Sequence, residues 1–304
     1  MWIKNLTVFL GSETFDWSAA ELEERLDAHR CPPCGRQSPS SEGFVPPLKN
    51  DERMVVAAGS YFYLVHQEII RLLPGPVVKE ELDARVEEIR EREGRPVGRK
   101  ERSELKDQIT FELLPQAFTR SRRTGVLIDP QRRRVMVDCG SESRSEQVVS
   151  ALRKALDSLP VTRPTAPSAT TAAFAGWLRD PRGLPDGFTL GDRCEFKNGD
   201  GASVRITALD LGRDEILAHL EELAAVKVNL AWKDEIEFDL QQDFAIKRLK
   251  PLDLIQENLD GINAEDALDE MMARLELQGG TLRALLDALF EYFEVKAESG
   301  PGAD

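Results

Sequence analysis

The chain has 304 residues, 41% of them apolar and 31% charged, and its 40 Lys and Arg against 54 Asp and Glu give a net charge of −14. This globular composition excludes a disordered or collagen-like chain, and no apolar run is long enough to span a membrane. Four cysteines are too few for a disulfide scaffold and the first residues lack a secretion leader, so a reduced, cytoplasmic protein of one or two domains is expected.

Residues 2–10 read as a strand with Trp2, Leu6, Val8 and Leu10 on one face. Ser18 and Glu21 form a capping-box pattern for a helix ending near Ala28. Cys31-Pro-Pro-Cys34 and the Ser/Pro/Gly residues up to Pro47 read as loop. Strands follow at 54–58 and 61–65 around the Gly59-Ser60 turn. Past Pro74-Gly-Pro76, residues 77–93 form a charged helix with a narrow stripe of Val78, Leu82, Val86 and Ile89. A Gly94–Gly98 turn and a second charged helix at 100–114 suggest a projecting hairpin, although a helix pair lying flat on a sheet fits the pattern as well.

Strands at 118–129 and 134–139, a helix at 143–159 and a Pro/Thr/Ala/Ser-rich linker at 161–173 complete an N-terminal region, 1–160, and its tether. The C-terminal region, 174–304, opens with a short helix near 174–179. Strands at 188–197 and 203–210, a helix at 214–224, and strands at 226–232, 236–240 and 245–249 follow. Helices at 264–275 and 281–293 end the chain. The expected fold is α+β: mixed sheets, flanking helices and a charged helical hairpin. The 77–114 hairpin and the C-terminal helices are two separate apolar-striped surfaces, which points to a homodimer.

Charge is unevenly spread. Residues 1–160 hold 25 basic and 26 acidic side chains, whereas residues 161–304 hold 15 and 28. Residues 94–134 carry 11 basic residues against five acidic ones, a local net of +6. An acidic protein can still focus a positive field in one place, although a solvated face is the plainer reading of such a run.

Enzyme signatures are missing. His29, His66 and His219 are far apart in sequence, and no P-loop or G-x-G-x-x-G motif is present. Cys31-x-x-Cys34 follows a helix and enters a Pro-rich loop, the wrong place for a thioredoxin-like site, and no second C-x-x-C exists for zinc. Acidic pairs such as Asp210/Asp214 and Glu235/Glu237 could in principle hold Mg²⁺, but 54 acidic residues make such pairs by chance. No catalytic residue, cofactor or metal is expected.

Seven short runs, in order, carry a resemblance. They are Ile3-Lys-Asn-Leu6, Gly43-Phe-Val-Pro-Pro47, Leu73-Pro-Gly-Pro-Val-Val-Lys79, Leu113-Leu-Pro-Gln-Ala-Phe-Thr-Arg120, Met136-Val-Asp-Cys139, Leu152-Arg-Lys-Ala-Leu-Asp-Ser-Leu-Pro160 and Lys247-Arg-Leu-Lys250. Together they resemble the RdgC family of bacterial recombination-associated proteins, over essentially the whole chain. The resemblance implies a non-enzymatic, nucleoid-associated protein that binds double-stranded DNA with little sequence preference and restrains RecA. It also implies a homodimer closed head-to-head and tail-to-tail into a ring, with DNA in a basic hole and single-stranded DNA as a further candidate partner.

For individual residues the resemblance implies DNA contacts from Phe118 and Arg120 in the Ala-Phe-Thr-Arg run, next to Arg122 and Arg123. Arg95, Arg99 and Lys100 fall in a basic inter-helix turn, while Lys227, Lys247, Arg248 and Lys250 stand where the family is also basic. A lysine-rich segment expected before Asp210-Leu211 is replaced here by Thr207-Ala208-Leu209. On physical grounds Phe118 could instead be a core residue, and the 247–250 cations could guard a strand edge. The rival function is a protein that regulates RecA directly and binds DNA only incidentally.

Overall fold

The structure is a computed structural model and describes residues 2–297. The chain forms two compact units: one takes residues 2–28, 46–65 and 124–297, the other residues 29–45 and 66–123.

The first unit opens with β1 (Thr7–Gly11), shorter than the expected strand, because residues before Leu6 turn away to pair through Leu6 with Ile246. Ser18 caps α1 (Ala19–Asp27) as its pattern predicts: its hydroxyl accepts from the Glu21 amide, and the Glu21 carboxylate accepts from the Ser18 amide. The stretch expected as loop contains a strand, β2 (Ser40–Val45), in the second unit, where Phe44 is buried and bridges Arg30. β3 (Val55–Ala58) and β4 (Tyr61–Leu72) pair antiparallel around Gly59-Ser60. Residues 61–65 of β4 belong to the first unit and 66–72 to the second.

In the second unit, α2 (Gly75–Glu93) and α3 (Arg99–Leu113) pack on Val78, Leu82 and Ile109, joined by Leu73, Val86, Leu105 and Leu113. Gly94 ends α2 at φ 63°, the left-handed conformation that glycine adopts without a Cβ penalty. β5 (Phe118–Asp129) has the predicted bounds; its residues 118–123 belong to the second unit and 124–129 to the first. β6 (Arg134–Val137) pairs with both β5 and β1.

The remaining elements lie in the first unit. Leu152 and Val148 bury one face of α4 (Glu142–Ala155). Residues 161–173, expected as a linker, contain β7 (Val161–Thr162), β8 (Pro164–Thr165) and the first turn of α5 (Thr170–Arg179). Then come β9 (Phe188–Lys197), β10 (Ser203–Ile206), a single turn α6 (Asp214–Leu217), β11 (Ala224–Trp232), β12 (Ile236–Gln241) and β13 (Ile246–Pro251). They build an antiparallel sheet in the order β10-β9-β11-β12-β13. Trp177 and Phe174 of α5 meet Phe293 at ring distances of 5.6 and 6.5 Å, and Phe244 and Phe290 extend this aromatic cluster.

α7 (Asp253–Asp260) was not anticipated, since eight residues carry too little periodicity to read. The two C-terminal helices expected on either side of Gly279-Gly280 are one helix, α8 (Ala267–Tyr292). Gly279 serves packing here: a Cβ on it would lie 2.6 Å from Cε2 of the buried Tyr61, so the glycine admits that ring against the helix. β14 (Lys296–Ala297) pairs with β8. Among the described residues no helix is long and apolar enough to cross a membrane.

Candidate nucleic-acid interface

In the second unit the expected cations form two groups. At the α2–α3 turn, Arg95 is held by carboxylates on both sides, Glu93 at 2.8 Å and Glu101 through two hydrogen bonds of 2.7 Å. The hydrogen bond to Glu101 is the main reason its pKa is pushed further up. Arg95 therefore closes the turn, and its charge is already matched. Arg99 and Lys100 begin α3 behind Gly98, which has no side chain to cap the helix. Lys100 is 94% exposed, with Glu104 3.9 Å away. Both cations stand at the positive end of the helix dipole, where helices disfavour them.

The second group is on β5. Phe118 is 85% exposed, which removes the core reading of this residue. Arg120 and Arg123 are exposed, and Arg122 is half-buried, 3.8 Å from Glu68 on β4. By the two-residue period of a strand, Phe118, Arg120 and Arg122 share one face. In the sequence the two groups lie on either side of α3, a helix about 22 Å long at 1.5 Å per residue.

The third group is on the polar face of the five-stranded sheet in the first unit. Glu195 on β9 is buried and receives Lys227 at 2.9 Å, Lys197 at 3.0 Å and Arg205 at 3.3 Å. Burial works against its charge, but the hydrogen bonds from Lys227 and Lys197 outweigh it and hold the carboxyl down at about 2. Asp239 on β12 is also buried and faces Arg193 at 3.1 Å and Arg248 at 3.6 Å. Glu237 takes Arg193 at 2.6 Å and Lys250 at 2.8 Å. Burial opposes its ionisation too, and Lys250 and Arg193 still keep its pKa low.

The pairing of Glu237 with Lys250 and of Asp239 with Lys247 leaves an extra residue in β13, and Arg248 beside it takes φ 53°. That bulge lets Arg248 as well as Lys247 oppose Asp239. Lys247 runs its stem past Gly140, where a Cβ would sit 3.2 Å from its Cε. Lys227 is thus mostly buried and spent on Glu195, whereas Arg248 and Lys250 lean outward over their acids. Arg193, Lys197 and Arg205 share this face and were absent from the sequence-based site. The alternation Arg193, Glu195, Lys197 along β9 was the available signal.

Other charged positions have structural partners. Arg132 and Arg134 both grip Asp287 of α8 at 2.8 Å, and Arg283 of α8 returns the contact to Asp129 at 2.7 Å. The four cysteines are free. Burial raises the pKa of Cys31, the opposite of what a reactive thiol requires. Among the described residues no group of three or more His, Cys, Asp or Glu side chains is placed to hold a metal ion.

Fold and site define an α+β protein whose conspicuous features, among the described residues, are charged surfaces and not a cluster of reactive side chains. A family model described as "Putative exonuclease, RdgC" matches residues 1–296. Curated relatives named recombination-associated protein RdgC include one from Pseudomonas aeruginosa, 36% identical over 96% of both chains. One from Yersinia enterocolitica is 34% identical over 96% of this chain and 97% of its own. A third, from Colwellia psychrerythraea, is 33% identical over 97% of both. The chain belongs to the RdgC family.

Proposed function

We propose that this protein binds duplex DNA through its phosphates, without sequence preference and without cutting it. It acts as a homodimeric ring, associated with the nucleoid in the cytoplasm, and restrains RecA-promoted recombination. The observation that carries the DNA reading is the start of β5, where an 85% exposed Phe118 stands beside the exposed Arg120. A large aromatic kept in water next to a cation has a use only when something covers both. Arg99 and Lys100 support the reading, because cations at the positive end of a helix contradict local preference, and such contradictions gather at functional sites. Single-stranded DNA is the second nucleic-acid candidate, since its bases can stack on an exposed ring such as Phe118.

Salt tests this directly. If the dimer neutralises about 6–10 phosphates, duplex affinity falls by roughly 10³-fold or more between 50 and 200 mM salt. A flat response would move the function to direct regulation of RecA. A monomer in sedimentation at micromolar concentration would overturn the ring, and nicking of plasmid with Mg²⁺ would overturn binding without cleavage.

A further inference from the structure

The ring of Phe118 is 85% exposed, so it has few contacts of its own and goes where the backbone before it leads. That backbone is Ala117, between a single 3₁₀ turn, Leu114–Gln116, and β5. The Ala117 amide donates to the Leu114 carbonyl at 3.1 Å, and the Ala117 carbonyl accepts from Nη1 of Arg71 at 3.1 Å. Both polar groups of this residue are tied.

Arg71 is half-buried near the end of β4. Among the described residues its guanidinium makes four hydrogen bonds, all to backbone carbonyls. Nε and Nη2 donate to Gly35 at 3.2 and 3.0 Å, Nη2 also to Cys34 at 3.4 Å, and Nη1 to Ala117. Its own amide donates to the Pro39 carbonyl at 2.8 Å. Arg85 and Arg102 on the helix pair spend their forks on carboxylates instead. One side chain thus joins loops 36 and 46 residues away from it in sequence. A rigid fork of five donors suits this task, and the point charge of a lysine does not.

We propose that Arg71 is a positioning residue for the DNA contact: by tying the Ala117 carbonyl to the 34–35 loop, it fixes the direction in which Phe118 leaves the sheet. The inference rests on the reading of Phe118 as a DNA contact. A ring held ready loses less freedom when DNA covers it, so the clamp acts through affinity. In this role Arg71 itself touches no phosphate.

The test measures duplex affinity of the full chain at several salt concentrations. The variants are Arg71→Gln, Arg71→Lys, Phe118→Ala and the double variant Arg71→Gln/Phe118→Ala. Both Arg71 variants should bind several-fold more weakly, because lysine keeps the charge and loses the fork, and the salt slope should not change. In the Phe118→Ala background Arg71→Gln should add nothing, since no ring is left to position. Ala117→Gly loosens the same backbone with Arg71 intact, and should weaken binding in the same way even if the Arg71 variants fail to fold. Full affinity in Arg71→Lys or in Ala117→Gly overturns the proposal, as do additive losses in the double variant. A salt slope lowered by about one phosphate in Arg71→Gln also overturns it, by making Arg71 a phosphate contact. If Phe118→Ala binds duplex as tightly as the unaltered chain, the reading of Phe118 falls and this inference with it. A loss in Phe118→Ala beside unchanged Arg71 variants overturns this inference alone.

Discussion

On the α2–α3 pair, Arg85, Arg95 and Arg102 meet carboxylates that stand partly in water, whereas on the five-stranded sheet Arg193 and Lys227 meet the buried Asp239 and Glu195. Similar residue pairs have different consequences in the two places. An exposed pair is screened by salt and adds little to stability, so its members remain available to a partner. A buried carboxylate must keep its cations, because losing one partner strands the other charge in a poor solvent. The helix pair can therefore exchange its charge contacts with a ligand cheaply, while the sheet face holds its inner cations and offers only the outer ones.

Removing a buried acid should have the largest effect. Asp239→Ala takes the buried partner from Arg193, which keeps Glu237, and from the buried Asn229 amide, and is expected to cost about 3 kcal/mol in urea unfolding. A loss below about 1 kcal/mol would make the sheet face no different from the helix pair. Acid titration comes next. Glu195 ionises near 2 in the folded chain against an ordinary 4.5, so it stabilises the fold above pH 4.5. That contribution, on the order of 3 kcal/mol, fades as pH falls from 4.5 towards 2. Glu195→Gln should flatten this part of the stability–pH curve, and an unchanged curve would dissociate the shift from folding.

Phe118→Ala should leave melting unmoved, since an exposed ring has no cavity to open, and should reduce DNA affinity several-fold. A large melting loss with unchanged affinity would count against the DNA contact. Arg120→Ala should lower the salt slope of DNA binding by about one phosphate and weaken all sequences alike. The smallest effect belongs to the turn: Glu101→Gln should not change the melting temperature measurably, because both ends of its bridge to Arg95 are solvated.

Strands set off by clear turn signals were legible in the sequence, and β5 and β9 have the bounds read there. The failures have physical causes. Gly279-Gly280 looks like a helix break, and only the Tyr61 ring packed on Gly279 shows why the helix continues. β2 lies in a run of Ser, Pro and Gly whose strand character comes from pairing partners distant in sequence. The site was half legible. The cluster at 94–134 stood out by composition, whereas Arg193, Lys197 and Arg205 sit in a half of the chain with a net charge of −13. Linear charge counting cannot find such a face, because folding buries Glu195 and Asp239 and leaves cations above them.

The thin core of the α2–α3 pair has a consequence in time. Three buried apolar side chains hold these helices, whereas α8 alone buries ten residues. In amide hydrogen exchange the pair falls at the low-stability end, its protons leaving through local opening while those of α8 wait for global unfolding. A ligand that bridges α2 and α3 would then announce itself as slowed exchange in both helices, with no change in the rates of α8.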